Sequence, residues 1–162
     1  MSHAHVRSIE INAAIITVSS TRTKENDTSG RAIREILKEK NIPVIYYTIV
    51  PDHIETIRDA WFIAMKTANC IIINGGTGLT HDDCTIEAIS PLLEKRIDGF
   101  GELFRMKSIQ QIGTASMLSR AVAGINNGKA IFCIPGSTPA VTLATTELIV
   151  PEIVHLLSHA TG

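Results

Sequence analysis

Aromatic residues make up only 4% of this 162-residue chain, and neither sign of charge predominates. Lys and Arg number 15 against 16 Asp and Glu, a net charge of −1, so no overall field draws the protein to nucleic acid or to an anionic membrane. The few aromatics leave few platforms for stacking single-stranded bases. No uninterrupted apolar run approaches the roughly 20 residues that a transmembrane helix needs. The opening "MSHAHVRSIEI" lacks the apolar centre of a signal peptide. The cysteines, Cys70, Cys84 and Cys133, are odd in number and show no C-x-x-C spacing. Cys70 and Cys133 fall inside apolar runs and read as small buried hydrophobes, whereas Cys84 has no basic group fixed beside it to activate a thiolate. A reducing cytoplasm is the expected compartment, with no nucleic acid and no membrane as partner.

What is present is an ordinary globular composition, 44% hydrophobic and 19% charged, with a length suited to one domain. Residues 1–9, with His3 and His5, are expected to form a flexible tail ahead of a single domain over 10–162. Asn12–Val18, Pro43–Val50, Asn69–Asn74 and "KAIFCI" (129–134) are short apolar, β-branched runs that read as buried strands. Between them lie stretches of helical period. Ala32, Ile33, Ile36 and Leu37 follow an N-cap at Asp27 or Thr28, and Ile54, Ile57, Trp61, Ala64 and Met65 share one face. Ile86, Ile89, Leu92 and Leu93 suggest a helix broken near Pro91, and Phe100, Leu103, Phe104 and Lys107 another. "NNG" at Asn126–Gly128 marks a hairpin, and a last apolar helix begins near Pro139, with an interruption expected at Pro151. Alternation of strands and helices predicts an α/β sandwich: a mostly parallel sheet, helices on both faces, and one antiparallel hairpin at an edge.

In such a sheet the loops after the strands share one edge, where ligands bind. Here they read "SSTRTKENDTSG", "VPDHIE", "GGTGLTHDD" and "PGSTPA", all polar, glycine-rich or acidic. Glycine turns that lead into helices gather backbone N–H groups and suit an anion, and the turns at Gly75, Gly76 and Gly78 and at Gly136 with Ser137 fit that description. Asp52 and Asp83 would repel a phosphate unless a hard cation lay between them. Mg²⁺, held by one or two carboxylates and the substrate's own phosphates, resolves the conflict. Common alternatives do not fit. No lysine follows the loop as a P-loop demands, His81 stands where a dinucleotide fingerprint needs its third glycine, and there is no G-x-S-x-G elbow. His155 and His159, four apart, lack the glutamate of H-E-x-x-H and read as a solvated or packed helix end.

Four blocks in order, "GGTGLTHDDCTIEA", "DGFGELFRM", "SMLSRAVAGI" and "IPGSTPAV", resemble the MogA/MoaB family of molybdenum cofactor biosynthesis proteins. The same domain is similar to the G domain of plant Cnx and the N-terminal domain of gephyrin. The likeness runs from about residue 12 to 155. It implies Mg²⁺-dependent adenylylation of molybdopterin by ATP, giving adenylyl-molybdopterin and pyrophosphate. It also implies assembly as a homotrimer or homohexamer, and the pathway's molybdenum-insertion enzyme as a further partner. By this resemblance Asp52 and Asp83 are catalytic. Both are candidate metal ligands, and neither has a sole role; that one binds the metal while the other orients molybdopterin or its metal is an open alternative. Ser19, Asp27, Ser29, Gly30, Gly75, Gly76, Thr77, Gly78, Glu102, Ser116, Ser119, Arg120, Pro135, Gly136 and Ser137 are the implied ligand-binding residues. Glu102 and Arg120 have a structural alternative, an ion pair that fixes a loop or a subunit contact.

Two departures bear on the expectation. Asp82 stands where family members often carry a basic residue, a local change of two charge units beside the phosphate site. That feature motivates the rival reading of a molybdopterin-binding protein without adenylyltransferase activity. Thr138 adds a hydroxyl and a β-branch in the last loop.

Overall fold

The computed structural model describes residues 8–162, so His3, His5 and the first seven residues of the expected tail lie outside it. Ile9, assigned above to that tail, is half-buried and packs against the core. Six strands form one sheet in the order β2-β1-β3-β6-β5-β4. They are β1 (Ala13–Val18), β2 (Val44–Val50), β3 (Cys70–Asn74), β4 (Lys95–Arg96), β5 (Val122–Asn126) and β6 (Lys129–Ile134). β2, β1, β3 and β6 run parallel, while β5 and β4 complete the edge antiparallel.

The helices are α1 (Thr28–Glu39), α2 (Ile54–Met65), α3 (Thr85–Ile89), α4 (Asp98–Ile112), α5 (Thr138–Leu143) and α6 (Val150–Ala160). Strand residues alternate between two cores. Ala13, Ile15, Cys70, Ile72, Ala130, Phe132 and Ile134 face α1, α4, α5 and α6. Ala14, Ile16, Val18, Ile71, Ile73, Ile131 and Cys133 face α2 and α3. Burial on both sides explains why the parallel strands carry no polar face. It also pushes the Cys70 and Cys133 thiols up to about 12, as inert buried groups require.

α1 begins where Asp27 accepts a hydrogen bond from the Gly30 N–H at 3.0 Å, the N-cap expected from sequence. α3 gives way at Ser90–Leu92 to a 3₁₀ turn around Pro91. Pro151, however, does not interrupt the last helix. A π-helical turn at Ala144–Ile149 joins α5 to α6, so helix continues from Thr138 to Ala160. In an unbroken α-helix the proline ring would meet the carbonyl four residues back, at Glu147, and the widened turn lies across that position. The continuous helix is long and apolar enough to cross a membrane by length and composition, yet Val141, Ala144, Leu148, Ile149, Ile153 and Leu157 are spent on the core.

β1 and β3 mark the topological switch. The chain leaves β1 for β2 on one side, then crosses to β3 on the other, so the loops after β1 and β3 diverge and open a crevice.

Candidate functional site

The crevice is a cleft of about 660 Å³ walled by Val18–Ser19, Thr21–Arg22, Gly75–Gly78, Asp83, Ser119 and Pro135–Ser137, with Ile112 and Leu118 forming an apolar lip. It lies on the edge predicted from the strand-end loops. The floor is the glycine turn after β3. Gly75 and Gly76 have φ of +96° and +66°, in the left-handed region, and a Cβ on Gly75 would collide with the Val18 carbonyl oxygen. Thr85, fully buried at the start of α3, clamps this turn from below. Its N–H donates to the Gly76 carbonyl at 3.0 Å and its hydroxyl to the Gly75 carbonyl at 2.7 Å. Opposite, the Ser137 hydroxyl accepts from the Ala140 N–H at 3.3 Å and caps α5. Thr138 enters α5 as its first residue and its hydroxyl lies 3.4 Å from that of Thr28, so the extra β-branch is absorbed outside the cleft.

Two carboxylates flank the turn. Asp52 Oδ2 accepts from the Ser20 hydroxyl at 2.8 Å, and Ser20 Oγ in turn accepts from the Asp52 N–H at 3.1 Å. The other oxygen, Oδ1, stands 3.3 Å from where a Gly76 Cβ would be. Asp83 Oδ2 accepts from both the N–H and the hydroxyl of Thr80, at 3.0 and 2.7 Å. In each residue one oxygen is tied down and Oδ1 takes no hydrogen bond from the described residues. The free Oδ1 of Asp52 is the oxygen nearer the turn, whereas at Asp83 the anchored Oδ2 is nearer, 2.6 Å against 3.9 Å for Oδ1 from where a Gly78 Cβ would be. No group of three or more His, Cys, Asp or Glu among the described residues is placed to hold a metal ion by itself. Such a partial oxygen set fits Mg²⁺, which keeps waters and substrate phosphates in its shell, and not Zn²⁺.

Asp52 and the loop after β2 do not line this cleft; Asp52 lines a second recess of about 610 Å³ with His53, Ile54, Glu55, Thr56, His81, Asp82 and Cys84. Burial, followed by the charges of Asp52, Glu87, Asp83 and Asp82, pushes the Cys84 thiol up and keeps it protonated.

A profile of the family described as "Probable molybdopterin binding domain" matches residues 14–155. Molybdenum cofactor biosynthesis protein B of Halalkalibacterium halodurans is 47% identical over 150 residues, covering 91% of this chain and 88% of its own length. The chain belongs to the MoaB/MogA family of molybdenum cofactor biosynthesis proteins. A crystal structure of Molybdenum cofactor biosynthesis protein B superposes with a TM-score of 0.90 at 45% identity, covering 94% of this chain and 97% of that one. The tungsten cofactor synthesizing protein MoaB from Pyrococcus furiosus does so at 0.85 and 39%, covering 94% and 98%.

The family resemblance brings some implied residues to the cleft and places others elsewhere. Ser19, Gly75, Gly76, Thr77, Gly78, Asp83, Ser119, Pro135, Gly136 and Ser137 line it. The Ser119 hydroxyl oxygen is buried, with no hydrogen-bond partner among the described residues. Asp27, Ser29 and Gly30 are buried behind the loop and do not face the cleft, because they are consumed in capping and anchoring α1. Ser116 is buried in the 3₁₀ turn that follows α4. Arg120 holds the glycine turn by its backbone, donating to the carbonyls of Thr77 at 3.1 Å and Gly78 at 2.7 Å, and forks onto Glu87 at 2.7 and 3.0 Å. Its partner is therefore Glu87 and not Glu102, and its hydrogen bonds hold the Glu87 carboxyl below its ordinary value. Glu102 is exposed on α4 and lines neither recess.

Sequence reasoning passed over Arg22, Tyr47, Asn74 and Thr85. Thr85 had a signal, since a hydroxyl at the start of a helix after a glycine turn is placed to reach that turn's carbonyls. Tyr47 and Asn74 act through contacts across 20 or more positions, and Arg22 is set across the cleft by its bond to Gly136, 114 positions away.

Proposed function

We propose that this protein adenylylates molybdopterin with Mg-ATP, giving adenylyl-molybdopterin and pyrophosphate. The observation that carries the reading is the pair Asp52 and Asp83, each with one oxygen anchored and one unengaged, beside the same left-handed glycine turn, Asp83 on the cleft side and Asp52 on the side of the second recess. In the reaction a phosphate oxygen of molybdopterin attacks the α-phosphorus of ATP. The bond from that phosphorus to the β-phosphate bridging oxygen breaks, and pyrophosphate leaves. No covalent enzyme group is required, only alignment and neutralisation of charge. Mg²⁺, when bound, supplies Lewis-acid neutralisation of the phosphate oxygens. The chain's own part is to hold that cation with Asp52 and Asp83 and to receive anionic oxygens along the turns at Gly75–Gly78 and Gly136–Ser137.

The working form on this reading is a homotrimer or homohexamer in the cytoplasm, passing its product to the molybdenum-insertion enzyme. Support for self-association comes from α4 and the turn after it, where Leu103, Met106, Ile109, Ile112, Met117 and Leu118 are exposed. Ile112 and Leu118 are also the lip of the cleft, so a second copy packed there would shield the ligand. An exposed apolar stripe of this length is typical of an interface.

The test is to incubate purified protein with molybdopterin, ATP and Mg²⁺ and to separate the products by chromatography. Adenylyl-molybdopterin is the expected product, and Asp83→Asn abolishes it while the circular dichroism spectrum stays unchanged. Undiminished turnover in Asp83→Asn would sink the metal–carboxylate reading. Tight molybdopterin binding with no product from the wild type would leave a binding protein instead.

A further inference from the structure

Among the residues that line the cleft, Arg22 carries the single cation and Asp83 the single carboxylate. The Ser19 hydroxyl turns the loop inward by accepting from the N–H groups of Thr21 at 3.2 Å and Arg22 at 3.0 Å. The Arg22 side chain then crosses the crevice. Nη2 donates to the Gly136 carbonyl at 3.2 Å, and Nη1 donates to the Ser29 hydroxyl and lies 3.4 Å from Asp27 Oδ1. A guanidinium has five N–H donors in one plane, and these contacts leave donors over. The side chain keeps 31% of its exposure while that of Asp27 keeps none.

Asp27 is tightly held from behind. Its Oδ2 accepts from the hydroxyls of Thr17, at 2.7 Å, and Tyr47. Thr17 is fixed by the Asn74 amide at 3.0 Å, and Ser29 donates to the Asn74 carbonyl oxygen at 2.8 Å. A counter-ion required only to neutralise Asp27 would need neither solvent access nor a bond to the far loop.

We propose that Arg22 receives the anionic, phosphate-bearing end of the cleft's ligand, and that Asp27 and Tyr47 are positioning residues that aim its guanidinium. That the anion is a phosphate rests on the molybdopterin reading, but anion capture by Arg22 is separable from adenylyl transfer. A planar fork recognises phosphate oxygens two at a time, which a lysine cannot do.

Calorimetric titration with inorganic pyrophosphate, in EDTA so that no metal bridges to the aspartates, tests this. Arg22→Met is expected to lose about tenfold or more in affinity, with Arg22→Lys intermediate because it restores charge without the fork. Tyr47→Phe removes a donor that favours ionised Asp27, so the acid limb of pyrophosphate binding moves to higher pH. The other charged groups around Asp27 are Arg22 itself and, across the Tyr47 ring, Arg34 at 5.1 Å and Arg31. A purely structural Tyr47 would lower stability and leave the acid limb in place, which would overturn the positioning role. Wild-type affinity in Arg22→Met, or no binding by the wild type at millimolar pyrophosphate, would overturn the proposal. Should Arg22→Met fail to fold, Arg22→Gln of similar length decides by the same criterion. Pyrophosphate binding that depends on Arg22, without adenylyl-molybdopterin formation, would remove the enzymatic reading and leave this one standing. Equal product formation by wild type and Arg22→Met at subsaturating substrate would do the reverse.

Discussion

Asp27→Asn probes the network behind the cleft with almost no change of shape. The carboxylate is 1% exposed and accepts at Oδ2 from Thr17 and Tyr47 and at Oδ1 from Gly30 N–H and Ser29, with Arg22 alongside. An amide can keep an oxygen on only one of these sides. With oxygen toward Gly30 the cap survives, and the –NH₂ group faces two hydroxyls that must turn to accept. Two charge-assisted hydrogen bonds, each worth about 1.5–3 kcal/mol, become neutral ones of reversed direction. The expected net loss is about 3 kcal/mol, or roughly 6–12 °C in Tm for a chain of this size. The sign of the pH dependence follows from the side chain's environment. Burial raises the Asp27 pKa, but the hydrogen bonds from Tyr47, Thr17, Gly30 and Ser29 outweigh it and leave the folded value below the ordinary one. The folded protein thus binds fewer protons than the unfolded chain, and Asp27 contributes stability above its unfolded pKa that is lost as pH falls through the folded value. Urea unfolding of wild type and variant at pH 7, 5 and 3.5, at one protein concentration, should show the full gap at pH 7 and 5 and a narrowing gap at 3.5. A gap under about 1 kcal/mol at pH 7, or one that stays constant into acid, would refute the account.

Thr85→Val keeps the shape at the foot of the glycine turn and strands the Gly75 carbonyl, so urea titration should show a loss of about 1–3 kcal/mol; a change within about 0.5 kcal/mol would show the clamp to be idle. Ile109→Glu places a charge in the exposed stripe of α4 and should convert the proposed oligomer to monomer by light scattering after size exclusion. An unchanged mass would remove α4 from the interface. Cys84, raised above its ordinary value by burial and four carboxylates, should react with iodoacetamide at pH 7.5 more slowly than free cysteine. Faster alkylation would mean that the thiol has a basic partner.

The architecture was legible because burial on both faces writes each parallel strand as a continuous apolar run, and because Asp27, Pro91 and Asn126–Gly128 punctuate the chain where backbone chemistry demands it. β4 was not legible. It is two exposed charged residues, Lys95 and Arg96, and exists only because flanking residues reach β5, Glu94 N–H to Ile125 and Ile97 N–H to Ala123 at 2.8 Å each. The cleft's loops were legible as a set, since parallel strands deliver them to one edge whatever the strand order. Which side chain faces inward was not. Asp27 lies five residues beyond Arg22 in the same polar loop, and the acid is held inward by hydroxyls from other strands, Thr17 and Tyr47, with Thr17 itself fixed by Asn74, 57 positions away. Likewise Phe100 and Phe104 went to the core while Leu103, between them, stayed exposed, a split set by the rotation of α4 on the sheet.

The position of Asp82 bears on whether an active enzyme or a binding protein is the better reading. Its side chain is 88% exposed, its one ion-pair contact is the equally exposed His81 at 3.4 Å, and it belongs to the recess around Asp52, not to the wall of the main cleft. Against a basic residue at that position Asp82 differs by two unit charges, and two exposed charges acting on a phosphate through water over about 10 Å change its energy by about 0.8 kcal/mol, which physiological salt cuts further. Over that distance the effect is about a factor of four in affinity. On the adenylyltransferase reading Asp82 therefore tunes what enters the recess beside Asp52, and activity turns on the groups beside the glycine turn itself, where Asp52 and Asp83 each keep an oxygen unengaged.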